Sequence, residues 1–89
     1  MALSFPLGQV VITRGALTDV PPEEIVLALR RHALADWGEV CYEDKIANND
    51  ALEHGDRLLS AYRTRAGVKF WIITEWDRSA TTILLPEDY

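Results

Sequence analysis

The chain has 89 residues, of which 48% are hydrophobic and 26% charged, with a formal net charge of −5. This is the make-up of one globular domain over residues 1–89: too short for a second core, too apolar for a disordered chain. The lone cysteine, Cys41, excludes an internal disulfide; no apolar run reaches the ~20 residues that cross a bilayer, and the acid excess argues against unaided binding to a nucleic-acid backbone.

In chain order, residues 1–7 are briefly apolar, lack a basic start and are broken by Pro6, so they do not read as a signal peptide. With one thiol and no membrane span, a cytoplasmic location is expected. Gln9-Val10-Val11-Ile12-Thr13 is a β-branched run between Gly8 and Gly15, and reads as a first strand. Pro21-Pro22-Glu23-Glu24 is a helix start, with proline preset for the first turn and two acids at the positive end of the dipole. That helix is expected to run to about Ala35, with Ile25, Val26, Leu29 and Ala33 facing the core and Leu27 and Leu34 on the far side. Gly38 suits the left-handed end of the Asp36-Trp37-Gly38 connection.

Residues 42–54 read as a second helix that stops at Gly55. Residues 57–63 read as a strand, joined by Thr64-Arg65-Ala66-Gly67 to the strongest strand in the chain, residues 68–76. Both of its sides are apolar in the middle, through Phe70 and Ile72 on one and Trp71 and Ile73 on the other, so it should be central. Asp77-Arg78-Ser79-Ala80 is a tight turn, and residues 81–85 form a last strand before Pro86. The order is β-α-α-β-β-β. This is an α+β fold: two helices pack on a three- to four-stranded, mainly antiparallel sheet whose last three strands form a meander. Helices on one face leave Trp71 and Ile73 on the other without an obvious cover, so a homodimer through that face is one expectation.

Leu58-Leu59-Ser60-Ala61-Tyr62 and the ending Trp71-Ile72-Ile73-Thr74-Glu75-Trp76-Asp77-Arg78-Ser79-Ala80-Thr81-Thr82-Ile83-Leu84-Leu85-Pro86-Glu87-Asp88-Tyr89 carry a resemblance, as do Asp36-Trp37-Gly38 and the acidic segment after them. They resemble a family of small uncharacterised bacterial proteins, often carried on plasmids and integrated elements and loosely labelled plasmid-related. The resemblance spans residues 36–89. It implies a mobile-element setting and carries over no catalytic residue. A restriction-modification label used for such proteins does not suit this chain, which is too short for a methyltransferase fold.

Charge is unevenly placed. Between Asp36 and Asp56 stand seven acids (Asp36, Glu39, Glu43, Asp44, Asp50, Glu53 and Asp56) against one base, Lys45. That segment carries −6 and the rest of the chain +1. Glu43 and Asp44 suit a helix start, whereas Asp50 and Glu53 oppose the dipole at a helix end. Pairing of Asp50 with His54 and of Glu53 with Arg57, each four residues on, would be the structural explanation. The functional one is an acidic ridge that meets a basic partner. The tip Trp76-Asp77-Arg78 adds a second candidate contact, since tryptophan and arginine are enriched in binding hot spots.

Chemistry-bearing motifs are missing. His32, Cys41 and His54 lie far apart, whereas structural zinc wants four ligands at paired spacings. No nucleophile elbow and no glycine-rich phosphate loop is present. No catalytic residue, metal or cofactor is therefore expected. Three readings stay open. One is a non-enzymatic acidic interaction module of a mobile element, inhibiting a host defence complex of the restriction or CRISPR kind through that complex's basic, nucleic-acid-handling surface. Another is a small DNA-associated regulator using Arg14, Arg30, Arg31, Arg63, Arg65 and Lys69. The third is a homo-oligomeric structural domain.

Overall fold

A computed structural model describes residues 4–89; Met1, Ala2 and Leu3 of the apolar N-terminal stretch lie outside the described residues. The elements are β1 (Gln9–Ile12), α1 (Arg14–Asp19), α2 (Pro22–Ala33), α3 (Tyr42–His54), β2 (Leu58–Arg63), β3 (Lys69–Thr74), β4 (Ala80–Leu84) and a closing 3-10 turn (Pro86–Asp88). The sheet runs β1-β4-β3-β2. The last three strands form the expected antiparallel meander, with Tyr62 opposite Phe70 and Ile72 opposite Ile83. β1 joins the far side of β4 in parallel, so the sheet is mixed.

Strand alternation sends Leu58, Ser60, Tyr62, Phe70, Ile72, Thr74, Thr81 and Ile83 to one face, where all eight are buried. Two apolar clusters form there. One joins Ala16, Val20, Ile25 and Ala28 of the first two helices and their link to Tyr62, Phe70, Ile72 and Ile83. The other joins Phe5, Trp37, Ala51 and Leu58. At about 25 cal/mol per Å² of apolar surface, these clusters are the main favourable term in folding.

Three details depart from expectation. α1 was not foreseen: six residues beginning Arg-Gly are a weak local signal. It forms because Thr13 caps it, its hydroxyl accepting from Ala16 N–H (3.2 Å) while donating to the Asp88 carboxylate (2.7 Å). Gly15 fits closely there, since a Cβ would press on that carboxylate and on Leu85. α2 is turned so that Ala28 and His32, not Val26, face the sheet with Ile25 and Ala33; Val26 is 60% exposed. It ends before Ala35, which takes a left-handed φ of 63°.

The third departure concerns the second sheet face. Ile73 and Leu84 are buried there, and Trp71 is half-buried edge-on against Tyr89, 5.9 Å between ring centroids. Arg57 lies over the same tyrosine ring and donates to its hydroxyl (2.8 Å). Tyr89 thus packs on Trp71 from within the chain, on the face where a homodimer was one expectation.

Candidate interaction surface

α3 is a polar helix that buries little; Asn48 and Ala51 are its buried residues. Hydrogen bonds hold it instead. The Asn48 side chain donates to Leu59 O (2.7 Å) and accepts from Leu59 N–H (3.1 Å). Trp37 Nε1–H donates to Asn49 Oδ1 (3.1 Å). The helix stops at Gly55, whose φ of 76° is the left-handed end expected of it.

With Asn48 and Ala51 inward, the 100° spacing per residue turns Glu43, Ile46, Asp50 and Glu53 outward along one stripe, beside Tyr42. Tyr42 and Ile46 are exposed apolar groups on this face. All seven acids of the segment are exposed, but they divide into two sets. Asp36 takes two bonds from Arg31 (2.7 and 3.1 Å), and this hydrogen bonding holds its carboxyl below the usual range. Glu39 sits 3.3 Å from Arg63. These two are neutralised where they stand. Glu43, Asp44, Asp50, Glu53 and Asp56 have no ion-pair partner among the described residues. The expected helical pairs do not form: His54 donates to the Asp50 backbone oxygen (2.9 Å) rather than its carboxylate, and Arg57 goes to Tyr89. Asp50 and Glu53 therefore oppose the helix dipole uncompensated.

The hairpin tip between β3 and β4 lies at the same end of α3, and Arg78 is the reason. Its Nη1 donates to Asp56 O (2.6 Å) and Glu75 O (3.0 Å), and its Nη2 to Ala51 O (2.9 Å). Its guanidinium also lies over the Phe5 ring (5.7 Å). Such charge-assisted bonds are stronger than neutral ones. They clamp the tip to the helix end and give the left-handed Arg78 backbone (φ 61°) its compensation. Arg78, expected as a docking contact, is thus spent inside the fold. Asp77 stays exposed; its carboxylate accepts from Ser79 (3.0 Å to the amide), which lowers its pKa. Trp76 is 66% exposed. Of the ten expected contact residues, the structure gathers Asp50, Glu53, Asp56, Trp76 and Asp77 around one end of α3. Glu43 continues that stripe, Asp44 stands in the first helical turn, and Asp36 and Glu39 lie beyond the helix start in their arginine pairs.

One polar constellation went unforeseen. His32 is fully buried between Phe5 and Trp37, both edge-on to its ring. Its Nδ1 meets Ser60 Oγ (2.5 Å) and its Nε2 meets Thr74 Oγ1 (2.8 Å). Thr74 continues to Thr81 (2.8 Å), and the Thr81 hydroxyl donates to Leu7 O (2.6 Å). One proton per hydroxyl fixes every direction. Thr81 uses its proton on Leu7, so Thr74 donates to Thr81. Thr74 must then accept from His32 Nε2–H, and Ser60 donates to Nδ1. The ring is the neutral Nε2–H tautomer. Burial, helped by the Arg78 charge, lowers its pKa from 6.5 to about 4. Ser60 and His32 have the contact of a nucleophile and its base, and both are fully buried between α2 and the sheet. The legible signal was three small hydroxyl residues on one side of otherwise apolar strands.

Of the basic residues, Arg30, Arg31 and Arg63 line an open groove of about 340 Å³ floored by Leu27, Ala28, Tyr62 and Phe70. Arg31 and Arg63 are the two tied to Asp36 and Glu39. Among the described residues no cluster of three or more His, Cys, Asp or Glu side chains could hold a metal ion, and no helix is long and apolar enough to cross a membrane. No protein-family model, curated protein or solved structure matches the chain.

Proposed function

We propose that the chain is a non-enzymatic protein-interaction domain that docks through the outer face of α3 and the adjoining Trp76 tip onto a partner with a basic surface. In the mobile-element setting implied by the resemblance, that partner is a nucleic-acid-handling complex of host defence, which docking obstructs. One observation carries the reading: unpaired carboxylates share a face with exposed apolar groups, and an exposed tryptophan is clamped at its end. Charge speeds and orients encounter, whereas desolvated aromatic anchors supply most affinity. Folding offers no reason for Asp50 and Glu53, whose charges oppose the dipole without partners.

The test is affinity capture with three immobilised baits: the native chain, Asp50→Lys with Glu53→Lys, and Trp76→Ala. Native melting curves first establish that both variants fold. The native bait should retain a basic, nucleic-acid-handling protein that both variants lose. Identical retention by all three baits would exclude this surface.

A further inference from the structure

The sheet has two edges, and the chain treats them differently. On the β2 edge, the outward backbone groups of Leu59 are taken by the Asn48 side chain (2.7 and 3.1 Å). Those of Ala61 are taken by the connecting segment: Ala61 N–H donates to Trp37 O (3.1 Å) and Glu39 N–H to Ala61 O (2.7 Å). That edge is closed at Leu59 and Ala61.

The β1 edge is open. Gln9 N–H donates to Ser79 O and Thr13 N–H to Ile83 O, both at 3.0 Å. The period of two then turns the backbone groups of Gln9, Val11 and Thr13 toward β4 and those of Val10 and Ile12 outward, where no described residue meets them. Both side-chain faces are open as well: Val10, Val11 and Ile12 are 42%, 41% and 36% exposed. Gln9–Ile12 carries no charge, proline or bulge, three of the devices that keep edge strands from pairing.

We infer that β1 is a homodimerisation strand: two copies pair antiparallel along its free edge, Val11 against its counterpart, into one continuous eight-stranded sheet. Symmetry selects this register. The outward groups of Val10 must meet those of Ile12 in the second copy, and only a two-fold axis at Val11 uses both residues on both chains. A strand edge is its own complement under a two-fold axis, so no separate matching surface is needed. Val10 packs beside the second copy's Ile12 on one face, and the two Val11 side chains meet on the other. Arg14 of each copy lands opposite Gly8 of the other. Gly8 abuts the backbone of Arg78 and Ser79. Pairing over four residues falls short of the ~1,200 Å² of a stable interface, so the dimer is weak and concentration-dependent. The α3 surfaces stay free, because α3 borders the opposite edge.

Sedimentation equilibrium of the full chain from about 10 µM to about 1 mM, with amide hydrogen exchange at both ends of the range, tests this. The expected result is a monomer–dimer equilibrium in which Val10 and Ile12 amides become protected only at high concentration, while Val11 is protected throughout. Val11→Lys, which sets like charges together at the axis on an exposed position, should weaken dimerisation at least about tenfold. Asp50→Lys with Glu53→Lys should dimerise as the native chain does, which separates this inference from the docking surface. A monomer at about 1 mM would overturn it. So would a dimer that Val11→Lys leaves intact, or Val10 and Ile12 protection that appears only on adding a different protein.

Discussion

α2 and α3 pack on the same side of one sheet and are attached by different physics. α2 buries Ile25, Ala28, His32 and Ala33, so its position follows from apolar area and from one enclosed imidazole. α3 buries only Asn48 and Ala51 and is tethered by amide and guanidinium bonds to backbone carbonyls. A helix held by area must spend its sequence on the core. A helix held by a few directed bonds leaves its remaining positions free for charge, and α3 carries Glu43, Asp50 and Glu53 there.

The contrast can be broken first at His32. His32→Ala leaves a cavity, strands the Ser60 hydroxyl and takes a donor from Thr74, and should cost about 3–5 kcal/mol in urea unfolding, enough to threaten a domain this small. The pH profile comes next. The unfolded chain takes a proton on this histidine below about 6.5, while the folded chain resists until about 4. Stability should therefore be full above pH 6.5 and decline as pH falls toward 4, by about 3 kcal/mol in all. The carboxylates lowered by hydrogen bonding, Asp36 among them, act only below their ordinary pKa of 3.8, so the two windows separate. In His32→Gln the slope between pH 6.5 and 4 should vanish.

The smallest of the three effects belongs to the α3 side. Arg78→Gly keeps the left-handed backbone comfortable and removes the side chain with its guanidinium. It should cost about 1–3 kcal/mol, and hydrogen exchange should quicken at the α3 C-terminal turn, where Gly55 N–H bonds Ala51 O, but not at α2. Uniform loosening of both helices would dissolve the distinction between them.

Much of this architecture was readable from the chain. The α3 boundaries, its Gly55 stop and the meander follow from helix formers, glycine placement and β-branched runs, all local signals. α1 was hidden because its cap depends on Asp88, 75 residues away from Thr13. The acidic surface was half legible. Seven clustered acids were visible, but the withdrawal of Asp36 and Glu39 into arginine pairs, and Arg78's inward turn to Ala51 and Asp56, were not.

The amino-acid sequence alone determined which segments other than α1 are helix and strand, that β3 is central, and where the negative charge accumulates, because each depends on neighbours within a few residues. Tertiary structure alone decided that β1 runs parallel to β4, that Tyr89 packs edge-on against Trp71, and that His32 joins hydroxyls 28 and 42 residues away. It decided, too, that the β2 edge is capped at Leu59 and Ala61 while the β1 edge is left open. Those outcomes depend on which distant backbone groups find partners, and a donor's partner is set by where the folded chain returns.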